Sequence, residues 1–137
     1  MQLTERSGRR LGWAMSGLVI AFMLLDGALK LIPLDVVLKS SEEIGFPPTA
    51  MVARELGALG ILCTILYATP RTSILGAILL TAYLGGTAAA HFRIGNPLLT
   101  HILFGVYVAI LAWGGIYLRD NRLRAIFPFR SPCNEQK

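Results

Sequence analysis

The sequence predicts an all-α protein, an antiparallel four-helix bundle embedded in a membrane. Three observations carry this expectation. The chain has 137 residues, of which 54% are hydrophobic and only 15% charged, whereas soluble domains average about 25% charged. Its apolar residues gather in four stretches, residues 11–32, 50–69, 72–92 and 98–118, each close to the ~20 residues that cross a bilayer as a helix. Finally, the basic residues favour one side of such a bundle. Arg6, Arg9 and Arg10 precede the first stretch, Arg71 separates the second from the third, and Arg119, Arg122, Arg124, Arg130 and Lys137 follow the fourth. The opposite connections carry Lys39 and Arg93. The positive-inside rule then places both termini in the cytoplasm. This distribution explains a net charge of +5 through topology, with no nucleic-acid partner.

Residues 1–10 read as a polar cytoplasmic arm, residues 11–118 as the transmembrane domain, and residues 119–137 as a basic cytoplasmic tail. The first apolar run lacks a small-residue cleavage site before Asp26, so it is expected to be a retained helix and not a signal peptide. Pro33 is expected to stop it, having no backbone donor. Residues 35–44 fit a short interfacial helix, with Val37, Leu38 and Ile44 toward lipid and Lys39, Glu42 and Glu43 toward water. Gly45, Pro47 and Pro48 break the chain before the second span. The turns around Pro70 and Pro97 are short, which forces consecutive helices side by side, and Thr72 is an expected cap of the third span. Beyond the fourth span, Leu123, Ile126 and Phe127 lie among basic residues and read as an anchor on an anionic leaflet.

Lipid tails give helices no hydrophobic reason to associate, so small residues must allow close approach. Ala53-xxx-Gly57, Ala82-xxx-Gly86-xxx-Ala90 and Gly105-xxx-Ala109 are the expected packing stripes. The two cysteines, Cys63 in the second span and Cys133 in the tail, fall in different compartments, and no disulfide is expected between them.

Ionisable residues within apolar spans are functional-site candidates, because each is costly unless paired or hydrated. With a rise of ~1.5 Å per residue, Asp26 lies roughly 9 Å and Glu55 roughly 7–8 Å inside the outer boundary. His101 lies about 5 Å inside and His91 almost at the end of its span. All four spans thus deliver polar groups to one level. Asp26 and Lys30 share a face at i, i+4, and Tyr83, Thr87 and His91 repeat at the same interval. Arg54 and Glu55 diverge by about 100°, and Glu55 is expected inward. Asp26, Lys30, Glu55, His91 and His101 are the candidate catalytic residues, with Arg54, Tyr83, Thr87 and Arg93 as the binding shell. Two carboxylates, two imidazoles and a lysine suit a polar headgroup or proton transfer, as quinone or enol chemistry requires. No HxxxH or HxxE spacing supports a metal site, and no cofactor is indicated.

The expected function is an outward-facing polar pocket that binds a quinone-like or small amphiphilic ligand within the bilayer. The alternatives are a stand-alone membrane enzyme, an acid–base isomerase or hydrolase, and an assembly subunit whose charged spans pair with a membrane-complex partner or a second copy. Structural ion pairing of Asp26 with Lys30 and of Arg54 with Glu55 is the plainer account of each residue alone.

Several segments resemble the DoxX-like family of small bacterial membrane proteins. They are Asp26-Gly-x-x-Lys30, Gly45-x-Pro47, Leu66-Tyr67-x-x-Pro70-Arg71-Thr72, Gly76-Ala-Ile-Leu-Leu-Thr-Ala-Tyr-Leu-Gly-Gly86, His91-x-Arg93-x-Gly-x-Pro97 and Trp113-Gly-Gly-Ile-Tyr-Leu-Arg-Asp120. The resemblance implies a four-helix protein of the bacterial inner membrane. The wider group includes a membrane subunit associated with thiosulfate:quinone oxidoreduction, and others linked to thiol redox balance, which implies membership of a redox system. Some of those relatives carry paired cysteines, and this sequence does not.

Overall fold

A computed structural model describes residues 2–32 and 34–126. Pro33, with its expected role as a helix stop, and the tail from Phe127 onward, with Arg130, Cys133 and Lys137, lie outside the described residues. The chain forms α1 (Gln2–Leu31), α2 (Asp35–Glu43), α3 (Ala50–Ala68), α4 (Ser73–Arg93), a π-helical turn (Leu98–Ile102), α5 (Phe104–Arg119) and α6 (Asn121–Ile126). No strand occurs among the described residues. Among the described residues, four segments are long and apolar enough to cross a membrane: Arg6–Leu31, Ala50–Ala68, Ser73–Arg93 and Leu98–Arg119. Their outward faces are apolar, with Leu18 at 61% and Ile110 at 62% exposure. Such broad apolar exposure is expected of a protein solvated by lipid.

One boundary differs from the sequence reading. The helix expected from residue 11 begins at Gln2, so the polar arm is a continuation of α1. Hydropathy reports the solvent a residue prefers, whereas Arg, Gln and Leu all have high helix propensity on either side of a membrane surface.

Contacts between the long helices join rising residue numbers on one to falling numbers on its neighbour. Ser16 and Gly27 of α1 meet Tyr67 and Ile61 of α3, and Gly12 and Phe22 meet Gly115 and Phe104 of α5. Glycines set the closest approaches. A Cβ on Gly57 would stand 2.8 Å from the Gly27 carbonyl oxygen, and one on Gly12 would stand 2.8 Å from that of Gly115. Backbone contact at this range is what small residues supply in a membrane. Of the expected stripes, Ala53 and Gly57 are buried and Gly105 packs on Leu84. The stripe on α4 does not pack at its first two members. Ala82 and Gly86 are exposed, and a Cβ on Gly86 would meet nothing within 4 Å.

The core joins Val19, Met23, Cys63, Tyr67, Leu80, Val108 and Ile116. Cys63 is a free buried thiol. Tyr67 is fully buried, and its hydroxyl donates to the Ala112 carbonyl at 2.9 Å while lying 3.0 Å from Ser16 Oγ. One phenol thereby links α1, α3 and α5, as a buried hydroxyl must be hydrogen-bonded. Thr72 precedes α4, but its hydroxyl donates to the Leu66 carbonyl at 2.8 Å and does not cap the helix. Thr49 does cap α3, its oxygen accepting from Val52 N–H at 3.4 Å. At the chain's far end, Arg124 donates to the carbonyls of Tyr117 and Leu118 at 2.7 and 2.6 Å, satisfying acceptors left free at the end of α5. This folds α6 back so that Leu123 is buried in the core at 6% exposure, not turned to lipid.

Candidate functional site

One end of the bundle holds a cleft of about 580 Å³, bounded by α1, α2, α3, α4, the π-helical turn and the start of α5. Asp26, Lys30, Tyr83, Thr87, His91 and His101 all line it. Apolar walls come from Phe22, Met23, Leu84 and Phe104. Ala82 and Gly86 also border it. Small side chains at these positions widen the cleft instead of drawing a neighbouring helix close.

The polar groups are connected. Lys30 Nζ lies 2.7 Å from Asp26 Oδ2, one helical turn away, and both side chains are roughly two-thirds buried. The same ammonium donates across the bundle to the Tyr83 hydroxyl at 3.0 Å. Two of the three ammonium N–H bonds are thus engaged, and a third has no partner among the described residues. Thr87 sits one turn beyond Tyr83 and donates its hydroxyl to the Tyr83 carbonyl at 3.2 Å.

One further turn along α4 brings His91 against His101, with ring centroids 5.6 Å apart at 60°. Asn96 Nδ2 lies 2.7 Å from His91 Nδ1. An amide nitrogen can only donate, so with this side-chain orientation the neutral ring carries its proton on Nε2. His101 Nδ1 is 2.8 Å from Thr100 Oγ1. The π-helical turn differs from the continuous α-helix expected from Leu98. It adds backbone within one turn, which presents Thr100 and His101 together to the cleft.

Three predicted residues stand apart. Glu55 is exposed and is not among the cleft's lining residues. Arg54 is exposed on α3, and its Nε donates to the Leu31 carbonyl at the end of α1, 3.4 Å away. Arg93 is also exposed; its Nη2 donates to the Ile44 carbonyl at 3.1 Å, tethering the segment after α2 to the end of α4. A side chain on the neighbouring Gly45, whose φ is +82°, would collide with that guanidinium. Arg93 therefore holds the wall of the cleft and does not enter it.

Sequence reasoning missed other parts. Phe22 and Phe104 pack edge to face, centroids 5.3 Å apart, and supply an aromatic wall. Asn96 and Thr100 orient the two imidazoles. Val37 and Ile44 of the α2 region line the cleft, so that apolar face is turned toward protein. The i, i+7 separation of Val37 from Ile44 was a signal available in the sequence.

Ionisable side chains gathered at one end of four apolar helices define a small multi-pass membrane protein. The DoxX-like family profile matches residues 14–115, and the chain belongs to that family. No curated protein and no solved structure matches it.

Proposed function

We propose that this chain is an amphiphile-binding membrane protein whose cleft takes a quinone-like headgroup. In this reading it lies in a bacterial inner membrane with both termini cytoplasmic and the cleft opening outward, and it serves as the ligand-binding component of a redox system. The observation that carries the reading is Lys30. Its ammonium is fixed between Asp26 and Tyr83 yet keeps one N–H unengaged among the described residues, beside an apolar cleft. A carbonyl oxygen accepts that bond. His91 Nε2–H supplies a second donor for an oxygen across a ring, and Phe22 and Phe104 offer edges and faces to the ring itself. A volume of about 580 Å³ lies within the ~300–1,000 Å³ of small-ligand sites.

The test is equilibrium binding of a short-chain benzoquinone to the full chain in lipid nanodiscs. Saturable one-site binding is expected, with competition by an unlabelled analogue. Uptake that rises linearly with quinone, as into bare lipid, would refute the reading.

A further inference from the structure

Arg54 and Glu55 are unused by the cleft, and the face of α3 that carries Glu55 has a regular pattern. Ala53, Gly57, Gly60, Thr64 and Tyr67 are buried and recur at steps of four and three residues, the seam that α3 turns to its own bundle. Displaced by two residues, and so by roughly 200°, runs a second seam of the same spacing: Met51, Glu55, Ala58, Leu62 and Ile65. Every member is exposed, Met51 at 71%, Leu62 at 55% and Ile65 at 53%. Alternating steps of three and four are the a and d positions of a left-handed helix pair. Glu55 is the one ionisable residue in this seam, and it has no ion-pair partner among the described residues.

We propose that a second copy of this chain covers this face, α3 packing parallel against α3 about a two-fold axis. In such a pair, each a-position side chain enters a gap between partner residues at a, d and the position preceding a. Glu55 then meets Glu55, Arg54, Met51 and Ala58 of the second copy, so that the two Arg54 guanidiniums flank the two facing carboxylates and balance their charge. The two-fold axis makes the contact reciprocal, so each carboxylate accepts from the other copy's guanidinium at the same depth. Arg54 is placed for this because, among the described residues, only its Nε is engaged, on the Leu31 carbonyl. Ala58 next along the seam lets the helices approach closely. The face is self-complementary in charge, which lipid alone cannot match and a second copy can. The proposal does not depend on the ligand of the cleft.

The test is oxidative crosslinking of the full chain in lipid vesicles, with Cys133 replaced by Ser and buried Cys63 left in place. Single cysteines at Ala58 or Leu62 are expected to give disulfide-linked dimers, and cysteines at Leu18 of α1 or Ile110 of α5 are not. Glu55→Arg is expected to weaken the dimer by about tenfold or more through like-charge contact, and the exchanged pair Arg54→Glu with Glu55→Arg to restore it. If Glu55→Arg fails to insert, crosslinking at Ala58 in the native charge background decides alone. Equal crosslinking at all four positions, none at Ala58 and Leu62, or an unchanged dimer on charge reversal would overturn the proposal.

Discussion

Gly76→Val is expected to prevent recovery of a folded, monodisperse protein. A Cβ at Gly76 would fall inside contact distance of the Leu66 and Tyr67 backbone, where α3 and α4 cross. Side chains can rotate away from an intruding carbon, but the opposing main chain of a packed helix cannot. Overpacking costs about 1–3 kcal/mol where side chains yield, and more where they do not. The crossing also holds Tyr67, so the displaced strand of contacts includes the hydrogen bond to Ala112 and the approach of Ser16. Even Gly76→Ala is therefore expected to lower the melting temperature in detergent. Gly85→Ala is the matched control, because a Cβ there meets nothing within 4 Å. Equal melting temperatures for Gly76→Ala and Gly85→Ala would show that this crossing is looser than the geometry requires.

Lys30→Met is expected to weaken quinone binding by about 10- to 100-fold, the equivalent of one charge-assisted hydrogen bond. Methionine keeps the length and apolar stem of lysine but removes the ammonium that joins Asp26 to Tyr83. Tyr83→Phe leaves the ammonium and its pairing with Asp26 in place, removes only the bond that Lys30 Nζ donates to the hydroxyl, and is expected to cost severalfold. Binding isotherms in nanodiscs measure both, and a size-exclusion profile matching the unsubstituted protein confirms that each variant is folded. Undiminished affinity in a folded Lys30→Met variant would remove the lysine from the account.

Much of this arrangement was legible in the sequence, for identifiable reasons. The three later spans agree with the helices to within a residue or two, because apolar runs bounded by Pro and Gly report solvent and breaks together. The pairing of Asp26 with Lys30 followed from helical spacing, as did the stripe of Tyr83, Thr87 and His91. Depth was legible for Glu55, and its direction was implicit in the neighbouring small residues. Residues 53 and 57 form a packing stripe, and Glu55 lies two residues from each, on the opposite face at 100° per residue. An inward Glu55 and a packed Ala53–Gly57 stripe exclude one another, and burial of the small residues decided between them. The close pairs Gly27 with Gly57 and Gly12 with Gly115 were not legible, because they depend on which helices are neighbours. The same holds for Ala82 and Gly86. Their spacing suits a packing seam, but both are exposed and border the cleft.

Where a ligand sits is the most direct question for this account, and photolabelling with an azido-benzoquinone in lipid vesicles answers it. Adducts mapped by peptide mass spectrometry are expected on the peptides of α4, the π-helical turn and the start of α5 that contain Tyr83, His91, His101 and Phe104, and an excess of unlabelled quinone should suppress them. Adducts spread over outward residues such as Leu18, Leu62 and Ile110, with no suppression, would contradict it.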